Sequence, residues 1–233
     1  MNKIRISLCQ LKVTNNKKDN LIHALNAIDK ASINTNLVCL PECFNCPYDV
    51  KAFPEYAEII PDNLGYLDPE NSPSVAMLSN ASKKYNIFLI GGSIPEKDSD
   101  NLIYNTCMVF SPQGEIIAKY RKIHLFDIDI PNKISFKESE TLTSGNEIVT
   151  FDMPQGKVGI GICFDIRFPE QSRKMRDLGC KLLVFPGAFN MTTGPAHWEL
   201  LQRGRAIDNQ LYFCTVSPAR NLDALYYAWG IQV

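Results

Sequence analysis

The chain has 233 residues, 45% of them hydrophobic, with 24 Lys and Arg against 25 Asp and Glu and a formal net charge of −1. That length and apolar content suffice for one large core and exclude a disordered chain. The near-balance of charge leaves no electrostatic basis for a nucleic acid or an anionic membrane as partner, so a small molecule is expected.

Residues 4–10 predict a first strand, with none of the long apolar run of a signal peptide or membrane span. Leu21, Ala24, Leu25, Ile28 and Ala31 then recur at helical spacing. Leu37-Val38-Cys39-Leu40 is apolar throughout, as in a strand buried on both faces, and runs into Pro41-Glu42, which puts Glu42 at a strand's C-terminal edge. Cys43 and Cys46 have C-x-x-C spacing, but no second pair or nearby histidine pair completes a zinc site, so no metal or other cofactor is expected. A redox role for this pair is the lesser reading. The eight cysteines sit mostly in apolar runs, unlike a secreted disulfide framework, which points to reduced thiols and a cytoplasmic location; a mitochondrial pool is compatible.

From Tyr48 to Asn71 the pattern is broken by three prolines and Gly65, which fits a functional loop and a plain surface excursion about equally. Ser72-Pro73 predicts an N-cap and first helical residue, with Val75, Leu78, Ala81 and Tyr85 carrying the helix on. Strands are predicted over 87–90, 102–110 and 115–119, the last two joined by the turn Ser111-Pro112-Gln113-Gly114. The second of these leads into Tyr120-Arg121-Lys122-Ile123-His124, where a basic pair taken alone would be a solvated flank. After a polar stretch that holds Glu138 come strands at 148–152 and 157–163, a helix near 169–178 and a strand at 182–185. A glycine-containing loop over 186–195 is well placed to shape a pocket. A helix from about 197 to 209 and a strand over 211–217 complete the pattern.

The stretch around Cys163 carries the most chemical information. An apolar strand meets the cysteine and turns at once into a polar, helix-starting segment, so the thiol falls at a sheet's C-terminal edge. Gly159 and Gly161 are read as allowing close backbone approach, and the helix start as aiming N–H groups that favour a thiolate or an oxyanion beside it. Taken alone, such a residue is more often a buried core cysteine. Glu42 and Lys122, also at strand ends, supply the complementary acid–base and electrostatic groups that a nucleophilic thiol needs. Strands alternating with helices, with several hairpins among them, argue for an α/β layered fold.

Leu-Pro-Glu at 40–42, Arg-Lys-Ile-His-Leu-Phe-Asp at 121–127 and Gly-Ile-Cys-Phe-Asp-Ile-Arg-Phe-Pro-Glu at 161–170 occur in one order. In that order they resemble the nitrilase, or carbon–nitrogen hydrolase, superfamily. The runs at 126–131 and 187–198 are similar to those of its Nit2-type ω-amidases. The resemblance implies a four-layer αββα sandwich, homodimers, and hydrolysis of the terminal amide of small dicarboxylate monoamides such as 2-oxoglutaramate and 2-oxosuccinamate through a cysteine thioester. It makes Cys163 the nucleophile, Glu42 the general base and acid, and Lys122, with the backbone N–H of Phe164, the oxyanion stabiliser. Glu138 matches a second glutamate that orients Lys122 or the substrate. Arg167 is the candidate for the substrate's remote carboxylate, with a salt bridge to Glu170 or Asp165 as its alternative, and Phe189 and Thr193 would line the same pocket. His124 and His197 are read as structural.

Family members continue beyond Ala-Trp-Gly with further strands and a tail, whereas this chain stops at Val233. The expectation is therefore a single domain over 1–233 lacking those strands, with a weakened dimer. The other readings left open are a different amidase of the superfamily and a weakened binding form.

Overall fold

The computed structural model describes residues 3–61, 68–131, 134–224 and 226–230. Strand β1 (Ile6–Leu8) leads into helix α1 (Lys17–Ala31), and β2 (Leu37–Cys39) follows. Asn16 caps α1 by accepting from the Asp19 N–H at 3.1 Å. Helices α2 (Phe53–Tyr56) and α3 (Pro73–Tyr85) precede β3 (Phe88–Ile90), β4 (Ile94–Lys97), β5 (Ile103–Phe110) and β6 (Ile116–Arg121). Ser72 sits at the start of α3 as expected, but its hydroxyl donates to the Ile59 carbonyl at 2.6 Å and ties the preceding excursion down instead of capping the helix.

These strands form one sheet. β1, β2 and β3 are parallel neighbours, and the long β5 pairs antiparallel with β3 and β4 along one edge and with β6 along the other. A hairpin of β7 (Asp127–Ile130) and β8 (Ile134–Lys137) then forms where the sequence reads only as polar. The second sheet has the order β12-β11-β10-β9, from β9 (Val149–Met153), β10 (Gly156–Ile160), β11 (Leu182–Pro186) and β12 (Tyr212–Val216). Helices α4 (Pro169–Asp177) and α5 (Gly194–Asn209) join its parallel strands.

Side-chain alternation builds the layers. In β2, Val38 joins Ala24, Ile28, Val75 and Leu78 under α1 and α3, whereas Leu37 and Cys39 join Phe151, Val158 and Ile160 of the second sheet. In β5, Met108 and Phe110 face the helices, and Cys107 and Val109 face the other sheet. Burying each such Leu, Ile or Phe stabilises the fold by roughly 1.5–3 kcal/mol. The result is helices outside two facing sheets, the αββα arrangement. None of the helices among the described residues is long and apolar enough to cross a membrane.

Candidate active site

Three chain segments that leave the sheets converge on one buried point. Past β2, the chain turns at Cys43, whose φ of 49° is left-handed, and Glu42 is buried completely. The turn is pinned from β3–β4: the Ser93 hydroxyl accepts from the Cys43 N–H at 3.0 Å, and the Ser93 N–H donates to the Pro41 carbonyl at 3.2 Å. Gly92, at φ 65°, permits this approach, since a Cβ there would lie 2.1 Å from the Pro41 oxygen. Lys122 follows β6, its N–H donating to the Asn105 carbonyl at 2.9 Å and its carbonyl accepting from Gly145 at 2.8 Å.

Lys122 is no solvated flank: its side chain is fully buried between two fully buried carboxylates. Its Nζ lies 3.1 Å from Glu42 Oε1 and 2.9 Å from Glu138 Oε2. Burial pulls the ammonium's pKa down, but the charges of Glu138 and then Glu42 outweigh it and hold the pKa well above the usual lysine value. Glu138, in the 3₁₀ turn after β8, also accepts from the Tyr48 hydroxyl at 2.6 Å and the Phe126 N–H at 2.7 Å. Burial raises the Glu42 pKa despite Lys122. Its Oε1 further accepts from Asn105 Nδ2 at 3.0 Å. Its Oε2 receives no well-formed hydrogen bond among the described residues, although the Cys163 thiol is near enough to act on the carboxylate as a donor.

Cys163 begins a five-residue 3₁₀ turn after β10, at a left-handed φ of 47°. Such a φ in a non-glycine residue stores about 1–3 kcal/mol, held by the surrounding structure. Asp165, fully buried, is one holder. It accepts from the Ile162 N–H at 2.8 Å and the Tyr120 hydroxyl at 2.6 Å, and from His124 through both its backbone N–H at 3.0 Å and Nδ1 at 2.8 Å. One carboxylate thereby ties the segment bearing Cys163 to the segment bearing Lys122. Asp165→Asn places an amide among these donors; the expected result is a loss of about 1–3 kcal/mol of stability, read by chemical denaturation, with slower alkylation of Cys163.

Two local expectations are corrected. The thiol is not held as a thiolate: burial first, and then the charge of Glu42, raise its pKa well above the usual value, against the lowering by Lys122. The turn after Cys163 is too short for a strong dipole, and the N–H hydrogen-bonded to the sulfur is that of Ala188, 3.4 Å away, from the loop after β11. Gly159 and Gly161 serve side chains rather than backbones, since a Cβ would strike Leu183 at 2.6 Å or the Phe185 ring at 2.5 Å. The close backbone approach is at Gly187, where a Cβ would lie 3.1 Å from the Cys163 Cα.

Arg167, Phe189 and Thr193 line one cavity with Cys163, Phe164, Phe126, Ala188 and Tyr226. Its free volume is about 10 Å³, about the least that a single water needs. Clefts of about 680 and 650 Å³ elsewhere contain none of Glu42, Lys122, Glu138 and Cys163. Arg167 forms no ion pair with Glu170 or Asp165; its guanidinium lies over the rings of Phe189 and Phe164, 5.0 and 5.6 Å from their centroids. Tyr48 and Tyr226, which the sequence does not mark, close the aromatic wall with Phe136, and the Tyr226 hydroxyl donates to the Ala188 carbonyl. Cys43 and Cys46 are free thiols in a small apolar cluster with Phe53, Ile103 and Leu142.

An αββα sandwich that gathers a thiol, a buried carboxylate and a buried ammonium at its strand ends defines a class, the cysteine-dependent amidohydrolases. The family model for carbon-nitrogen hydrolases matches residues 5–231, and the chain belongs to that family. Omega-amidase NIT2 of Homo sapiens is 54% identical over 231 residues, 99% of this chain and 80% of the human protein. NIT2-B of Xenopus laevis is 55% identical with the same coverage. Among solved structures, Saccharomyces cerevisiae Nit3, a member of branch 10 of the nitrilase superfamily, superposes with a TM-score of 0.88 at 43% identity, covering 99% of this chain and 81% of the yeast chain.

Proposed function

We propose that this protein is an ω-amidase that releases ammonia from the terminal amide of small dicarboxylate monoamides, 2-oxoglutaramate and 2-oxosuccinamate among them. The observation that carries the reading is a single cavity with the Cys163 thiol and a half-buried guanidinium, Arg167, that has no carboxylate partner among the described residues. The likeness to the NIT2 proteins supports the same reaction.

In this reading Glu42, made more basic by burial, takes the thiol proton as the sulfur attacks the amide carbon. The carbonyl oxygen becomes an oxyanion, which the Lys122 ammonium and the Phe164 N–H stabilise. Glu42 returns the proton to the nitrogen as the C–N bond breaks, ammonia leaves, and the acyl group remains on sulfur as a thioester. Water then attacks the thioester with Glu42 as base, and the thiol and the free dicarboxylate are restored. Glu138 keeps Lys122 charged and in place. Arg167 grips the remote carboxylate, and Phe189 and Thr193 shape the space between. The cavity is too small for a five-carbon amide, so entry requires its aromatic wall to yield.

Arg167→Met is the direct test. The KM for 2-oxoglutaramate should rise by about 10-fold or more while turnover of a neutral amide such as butyramide is unaffected, because a charged hydrogen bond is worth about 1.5–3 kcal/mol. Equal rates on carboxylate and neutral amides by the unaltered enzyme would point to a different amidase of the family. The reading also includes a homodimer in the cytoplasm. Eight unpaired cysteines suit a reducing compartment, and light scattering that returns twice the chain mass would support the dimer.

A further inference from the structure

We propose that His197 is a positioning residue for substrate selection: its imidazole fixes the Arg167 guanidinium in a carboxylate-receiving pose without neutralising it. The proposal rests on the reading of Arg167 as the carboxylate site. Nη1 and Nη2 of Arg167 lie 3.2 and 3.3 Å from His197 Nδ1. A guanidinium has donors and no acceptor, so Nδ1 must accept, which assigns a neutral imidazole with its proton on Nε2. The two nearly equal distances place that nitrogen end-on between the terminal amino groups. Nε–H and one outer N–H on each terminal nitrogen remain, enough for a side-on bidentate grip on a carboxylate.

Helix α5 holds this arginine twice. Arg205, two turns beyond His197, donates from Nε to the Ile166 carbonyl at 2.9 Å and from Nη2 to the Arg167 carbonyl at 3.2 Å, fixing the backbone from which the side chain leaves. His197 fixes the far end, and the Phe164 and Phe189 rings flank the planar group. The chemical type of the holder matters. An aspartate or glutamate at this position would occupy the fork itself and cancel its charge, competing with the substrate. A neutral acceptor orients the cation and leaves its charge for the ligand. Burial lowers the Arg167 pKa, in keeping with a cation taken from water with no anion yet supplied.

The test is a double-mutant cycle with two amides of similar size, succinamate and butyramide, which differ in the terminal carboxylate. His197→Ala should raise the KM for succinamate by about 10-fold with kcat held within about twofold, and should leave kcat/KM for butyramide nearly unchanged. His197→Asn, which offers an amide oxygen as acceptor, should recover most of the loss. In an Arg167→Met background, His197→Ala should add nothing further. A rise in KM of the same size for butyramide, or in the Arg167→Met background, would overturn the proposal, because His197 would then act through general packing. If Arg167→Met raises the succinamate KM and His197→Ala does not, the positioning role fails while the carboxylate site stands. If Arg167→Met leaves both substrates unchanged, the carboxylate site is wrong and this inference falls with it.

Discussion

Lys122→Met is expected to cost the fold about 3–5 kcal/mol and to abolish turnover, because it leaves two carboxylates at zero exposure without their shared cation. Glu138 keeps the Tyr48 hydroxyl and the Phe126 N–H, but Glu42 keeps only Asn105 on Oε1 among the described residues. The loss should depend on pH in a defined direction. Burial already raises the Glu42 pKa, and removing Lys122 removes the charge that pulls it down. A carboxylate whose folded pKa exceeds its unfolded value is most stabilising below the unfolded pKa and loses that contribution as pH rises through the folded pKa. The variant should therefore regain stability when acidified from about pH 7 to about pH 5. In the unaltered protein the raised Lys122 pKa acts on the alkaline side: its contribution is full below 10.5 and is lost only as pH climbs through the folded value above that. Urea melts at both acidic and neutral pH give the comparison, and a variant equally unstable at both would contradict the buried-triad electrostatics.

Cys163→Ala should lower kcat/KM by about 10⁴-fold or more, since the other hydroxyls of the cavity, Thr193 and Tyr226, donate to Asn190 Oδ1 and the Ala188 carbonyl and are paired with no general base. Folded stability should change by no more than about 1 kcal/mol, because a small side chain is exchanged for a smaller one at a strained position. Glu42→Gln should give a related but distinct result. Burial and the charge of Glu42 raise the thiol's pKa, so without a base both turnover and iodoacetamide alkylation of Cys163 should slow, turnover by about 10²–10⁴-fold. Steady-state kinetics with alkylation rates separates the two. An alkylation rate unchanged in Glu42→Gln would mean that the sulfur is activated by something else.

The layered fold was legible because its strands are short apolar runs and its helices carry clear stripes. Leu37 to Cys39 and Leu182 to Pro186 sit where their composition puts them. The β7–β8 hairpin was not legible: Asp127, Asp129 and Lys137 alternate with apolar residues over too few positions to separate from a loop, and pairing with each other decides the matter. The start of α5 was misjudged by three residues, since Gly194 and Pro195 read as loop although a proline suits a helix's first turn. In the site, motif order was enough to bring Glu42, Lys122, Glu138 and Cys163 together. Asn105, Tyr48, Asp165 and Tyr226 were invisible as partners because nothing in their local pattern reports a hydrogen bond made across 38 or more residues of chain. His197 was taken as structural for a similar reason: its meaning depends on a guanidinium 30 positions earlier.

In the proposed reaction Cys163 carries the acyl group of a carboxylate-bearing amide during hydrolysis. The most direct measurement of this step is mass spectrometry of the protein quenched in acid during turnover of 2-oxoglutaramate, with peptide mapping of the adduct. The expected result is an added mass equal to the substrate less ammonia, confined to the peptide holding Cys163, absent in Cys163→Ala and reduced in Arg167→Met at low substrate. Ammonia release with no such adduct, or with the adduct on another cysteine, would contradict it.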